Sequence, residues 1–107
     1  MGIQDALPDR PVTMTELESL QVDLPDGFQV MPGSALSFDE RHMVPAVAFR
    51  APDGSVHAFG YRPDRGTWVA IETWTAEAHS KEAQQRAIRD FADEHFPEDR
   101  VDWLLGE

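Results

Sequence analysis

The stretch Val44–Thr75, VPAVAFRAPDGSVHAFGYRPDRGTWVAIETWT, decides the fold. It reads as three consecutive β-strands, Val44–Arg50, Ser55–Arg62 and Thr67–Thr75, joined by two Pro-Asp turns. In Ala51-Pro52-Asp53-Gly54 the proline presets φ, the aspartate can bond its own backbone, and the glycine takes the left-handed conformation that closes the turn. Arg62-Pro63-Asp64-Arg65-Gly66 uses the same chemistry with one more residue. The flanking runs hold Val, Ile, Phe, Tyr, Trp and Thr, which suit a pleated, half-buried surface.

The turns set the register. Ala51 faces Ser55, which places Phe49 opposite His57, Val47 opposite Phe59 and Pro45 opposite Tyr61. Through the second turn, Tyr61 falls opposite Trp68, Phe59 opposite Ala70 and His57 opposite Glu72. Alternation then gives an aromatic face with Val47, Phe49, His57, Phe59, Tyr61, Trp68, Glu72 and Trp74. The other face is small and aliphatic, with Ala46, Ala48, Val56, Ala58, Gly60, Val69 and Ile71. A slip of one residue in the second hairpin would exchange the faces of the third strand.

Outward from this core, residues 1–11 read as a flexible arm and residues 12–107 as a single α+β domain. Thr13-Met14-Thr15-Glu16 matches a capping box and opens a short helix with Met14, Leu17 and Leu20 on one side. Leu24-Pro25-Asp26-Gly27 ends it. Phe28–Met31 reads as a fourth strand, and Ser34–Met43 as a loop anchored by Leu36 and Phe38. From about His79 to His95 the stripe Ala83, Ala87, Ile88, Phe91, Ala92, His95 predicts a helix packed on the small face, with Ile88 and Phe91 buried and Pro97 as its stop. Thr75 and Ser80 both qualify as its cap. The tail Val101–Leu105 is apolar enough to be anchored through Trp103 and the leucines.

Composition bounds the function. The chain has 107 residues, no cysteine and a formal net charge of -11, from 20 acidic and 9 basic residues. Disulfide scaffolds, thiolate metal sites and cysteine nucleophiles are thereby excluded. No apolar run approaches the roughly 20 residues of a membrane helix, and the start Met1–Asp5 has no signal-peptide pattern, so the cytoplasm is the expected location. His42, His57, His79 and His95 have no ligand spacing, and no cofactor or metal site is expected. His57 with Glu72 reads as a structural pair rather than an acid–base pair, since no nucleophile is placed beside them, and no catalytic role is expected. Such a chain is repelled by phosphate backbones and anionic membranes. Lys81 is the only lysine beside eight arginines, and this composition resembles that of haloarchaeal cytoplasmic proteins, which implies adaptation to high salt.

The order helix, three-stranded meander, helix, together with Ser80-Lys81-Glu82-Ala83-Gln84-Gln85-Arg86-Ala87, resembles the double-stranded-RNA-binding domain around the start of its second helix. The second lysine of that family's motif is absent, and Gln84 stands where the last would be. The sequence therefore predicts a protein-interaction module, working through a partner or its own dimer with Phe59, Tyr61, Trp68 and Trp74 as the surface. An acidic nucleic-acid mimic and a degenerate RNA-binding domain are the alternatives. A contiguous apolar patch marks the first, carboxylates without a patch the second, and an arginine cluster the third.

Overall fold

The computed structural model describes residues 7–24, 27–38, 43–78, 80–97 and 101–103. Its elements in chain order are β1 (Val12–Thr13), α1 (Met14–Asp23), β2 (Gln29–Phe38), β3 (Met43–Val44), β4 (Ala46–Arg50), β5 (Val56–Arg62), β6 (Thr67–Trp74), α2 (Lys81–His95) and β7 (Val101–Trp103). The fold is α+β: an antiparallel five-stranded sheet in the order β6-β5-β4-β2-β7, with β1 and β3 forming a separate two-stranded ribbon. The meander, the C-terminal helix and the short N-terminal helix are all present.

The two helices lie on opposite faces of the sheet. Leu17, Leu20 and Leu24 join Phe49, Phe59 and Trp68 in one core, while Ile88 and Ala92 join Leu36, Ala48, Val56 and Ala58 in the other. Each large side chain so buried contributes about 1.5–3 kcal/mol.

α1 starts as its sequence requires. The Thr13 side chain accepts from the Glu16 amide and the Glu16 carboxylate accepts from the Thr13 amide, completing the capping box. Val12 before the cap and Leu17 after it are both buried in the same core, the arrangement of a hydrophobic staple. Val12 takes the inward place expected of Met14, which stands 36% exposed. Residues 7–11 make contacts with the domain. Leu7 is buried, Arg10 pairs with Glu16, and the Trp68 indole Nε1 donates to the Arg10 carbonyl at 3.0 Å. The rest of the expected arm, residues 1–6, lies outside the described residues.

β2 is longer than a four-residue strand. It runs from Gln29 to Phe38 because a bulge between Met31 and Ala35 absorbs Pro32-Gly33-Ser34, punctuation that reads as a strand end in the sequence. Leu36 and Phe38 are buried as expected, but as strand residues. α2 receives the bulge. The Ser34 hydroxyl donates to the Gln84 carbonyl Oε1 at 2.6 Å with both residues buried, and the Gln85 amide donates to the Gly33 carbonyl at 2.8 Å. Ser80 caps α2, accepting from the Ala83 amide. The strand β7 pairs with β2, Leu36 opposite Trp103, so the backbone of the tail is anchored; Leu104 and Leu105 lie outside the described residues.

The first hairpin has the expected register, with Phe49 opposite His57 and Val47 opposite Phe59. The second keeps it as far as Phe59 opposite Ala70. A bulge then shifts the pairing, so that Ala58 faces Glu72, His57 faces Thr73 and Val56 faces Trp74. The extra residue, Ile71, carries Glu72 and Trp74 onto the α2 side of the sheet. The expected His57–Glu72 pair does not form, for this reason.

Candidate functional site

Phe59, Tyr61, Trp68 and Trp74 do not gather on one open face. Phe59 and Trp68 sit in the core under α1, and Tyr61 is half-buried against it. Trp74 is in the other core, under α2. Trp68 is only 3% exposed, because residues 7–24 of the same chain cover the aromatic face. Among the described residues, Met14 and Val22 are the large hydrophobic side chains that stand exposed. The contiguous apolar patch expected there is absent from the described surface.

Polar groups do converge on His57. The Asp53 carboxylate accepts from the Ser55 amide at 2.9 Å and from the Ser55 hydroxyl at 2.6 Å. The Ser55 oxygen lies 3.0 Å from His57 Nε2, and the Thr73 hydroxyl lies 3.3 Å from Nδ1. A serine is thus placed beside His57, which the sequence reading missed. The alternation of Asp53, Ser55 and His57 at every second position was the available signal. Ser55 has one proton, and the ionised Asp53 at the shorter distance takes it. The Ser55 hydroxyl beside His57 thus already gives its proton to Asp53, whereas a general base must accept the proton of its nucleophile. Ser55, by its hydroxyl and its amide, holds the Asp53 carboxyl below the usual carboxylate range. The network stitches the turn closed around Gly54, whose φ of 89° requires a glycine.

A groove runs between α2 and β6. Its volume is about 340 Å³. It is shallow and open, lined by the apolar Ala70, Ile71, Ala87 and Phe91 and by the acidic Glu72, Asp90 and Glu94. Each wall has a sequence reason. Residues 87, 90, 91 and 94 fall on one side of α2 by helical period. The bulge at Ile71 puts Glu72 on the same side of the sheet. Phe91, expected to be buried, is half-buried: one part of its ring lies over Gly60, where a built Cβ would stand 2.3 Å away, and it also lines the open groove. Its other neighbour is His95, ring centroids 4.4 Å apart.

The charges are placed against the helix. Asp90, Asp93 and Glu94 stand in the last two turns of α2, where the carbonyl ends already carry partial negative charge, and His95 is the basic group of the last turn. Glu94 pairs with His95 at 3.1 Å. Glu72 and Asp90 make no ion pair with a described residue. No group of three metal-ligating side chains occurs among the described residues. His42 and His79 lie outside them. Among the described residues no helix is long and apolar enough to cross a membrane.

A family model described as a domain of unknown function, DUF7964, matches residues 3–95. The chain belongs to the DUF7964 family. The matched span of this DUF7964 chain includes both helices and both walls of the groove, and it stops before β7. Neither the curated proteins nor the solved structures include a match.

Proposed function

We propose that this DUF7964 chain is a non-catalytic protein-interaction module of a salt-rich cytoplasm, and that its partner presents a basic segment to the groove between α2 and β6. The observation that carries the reading is the groove itself: apolar residues lined by Glu72 on β6 and by Asp90 and Glu94 on α2, with Glu94 in the helix's last turn, where the carbonyl end is already negative. Charge placed against the local rule costs stability without a partner and is relieved by a bound cation. The net charge of -11 extends the attraction beyond the groove and repels nucleic acid. The arrangement at His57, with the serine proton held by Asp53, supports the absence of catalysis. The single lysine and the acidic excess support the haloarchaeal setting.

Self-association through Phe59, Trp68 and Tyr61 would require residues 7–24 to leave the face they cover, so the partner is placed at the groove instead. One observation favours a second reading. A described surface without an apolar patch suits an acidic mimic of nucleic acid, whose partner is also basic. The two part on whether the groove is needed. Titration calorimetry of the folded chain against an arginine- and lysine-bearing peptide, and against an RNA duplex, tests the module. Peptide binding that weakens with salt, with no duplex binding, is expected. Duplex binding with a silent peptide overturns it in favour of an RNA-binding domain. Peptide binding unaffected by Glu72→Gln with Asp90→Asn selects the mimic.

A further inference from the structure

We infer that the groove between α2 and β6 takes the side chain of an arginine from the partner's basic segment; this rests on the interaction-module reading above. The space, about 340 Å³ and open to solvent, is of a size for a single long side chain. Its chemistry is divided as an arginine is. The apolar lining of Ile71, Ala87 and Phe91 suits the three-carbon stem, which gains by lying on apolar surface while its head stays wet. Glu72 on the strand and Asp90 and Glu94 on the helix offer carboxylates from both walls, and a guanidinium fork can answer two of them at once.

Salt decides between arginine and lysine. In molar salt the Debye length falls to about 3 Å, so attraction across the solvent is lost and only groups in contact hold. An ammonium is strongly hydrated and has no planar face. A guanidinium is weakly hydrated, stacks on a ring, and keeps paired hydrogen bonds. A surface built for high salt and a groove lined by carboxylates on both helix and strand therefore point to the same side chain.

The test uses the full chain and two short peptides of equal length and charge, one with arginines and one with lysines. Calorimetry and backbone amide shifts are read at about 0.1 M and about 2 M KCl. The expected result is binding of both at low salt, about tenfold preference for arginine at high salt, and shifts concentrated on residues 70–72 and 87–94. Glu72→Gln and Asp90→Asn are exposed changes that leave the core intact, and each should remove that preference. Equal affinity for the two peptides at high salt overturns the arginine while leaving the interaction module standing. Binding of neither peptide at either salt overturns both. Shifts on another face overturn the groove.

Discussion

Gly60 is where the Phe91 side chain of α2 lies directly against the sheet. A methyl group there would meet the Phe91 ring at three of its carbons, the farthest 2.7 Å away. Gly60→Ala must therefore push Phe91 outward, and overpacking of this kind costs about 1–3 kcal/mol by denaturant unfolding. The same displacement would disturb the groove lining, so the variant should lose peptide affinity along with stability. Ile88, fully buried between the helix and the sheet, is the plain core position: Ile88→Ala should cost about 2–5 kcal/mol. Glu16 gives a residue-scale dependence on pH. The hydrogen bonds from Arg10 and from the Thr13 amide lower its carboxyl from 4.5 to about 2. A lowered folded-state pKa stabilises above the unfolded value, and the contribution is lost as the pH falls from 4.5 toward 2. The melting temperature should show this loss, and Glu16→Gln should flatten that part of the profile while keeping the capping geometry. The capping box and Leu17 were legible in the sequence because their signals are local. Gln84 was not: a glutamine on a helix reads as polar surface, and it is buried only because a bulge 50 residues earlier presents Ser34 to it.

Bulges are the elements that separate the sequence from the structure. Turn chemistry fixed the first hairpin, and every expected pair there is found. The same logic reached Phe59 opposite Ala70 and failed one step later, where Ile71 enters β6 unpaired. Nothing in Ala70-Ile71-Glu72-Thr73-Trp74 marks a bulge, since it contains neither glycine nor proline. What selects it is tertiary: Trp74 gains burial beside Ala92 and Ile88 when the strand is shifted by one. In β2 the opposite error arises, because Pro32-Gly33 looks like an end and is a bulge within one continuous strand. The β6 bulge makes a sharp prediction. Deleting Ile71 leaves Ala70 opposite Phe59 and Glu72 opposite Ala58, so the ladder closes in its present register. The deletion variant should fold, retain the near-ultraviolet signal of a buried Trp74, and lose the groove's affinity for a basic peptide. A variant whose tryptophan signal collapses would show that the bulge is needed for the fold and not only for the groove.

At the scale of the whole molecule, the sequence shows two apolar sheet faces and one long helix, and leaves the N-terminal helix, the tail and a second copy as candidate covers of the aromatic face. The chain closes it alone, with α1, the staple residue Val12, and Leu7 from the segment read as an arm. Short segments carry little periodic signal, and their burial depends on where the sheet lies. Closure of both faces predicts a monomer mass by light scattering in molar KCl at high micromolar concentration. The remaining force on the whole fold is its charge. Twenty acidic groups against nine basic ones act on a body with a radius of gyration of 12.5 Å, and only the compact state holds them that close. The Debye length shrinks from about 10 Å at 0.1 M salt to about 3 Å at 1 M, so screening removes most of this repulsion over that range. The melting temperature should therefore rise from low to molar KCl. The pairs Arg10–Glu16 and Arg62–Asp64 are weakened by the same screening, but solvent-facing pairs of this kind contribute little. Repulsion among the excess carboxylates outweighs them, and the sign of the salt effect follows. Neutralising Asp90, Asp93 and Glu94 to their amides should raise the melting temperature at low salt and reduce the further gain on adding KCl. A melting temperature that is flat or falling across this range would show that the acidic surface is not adapted to salt.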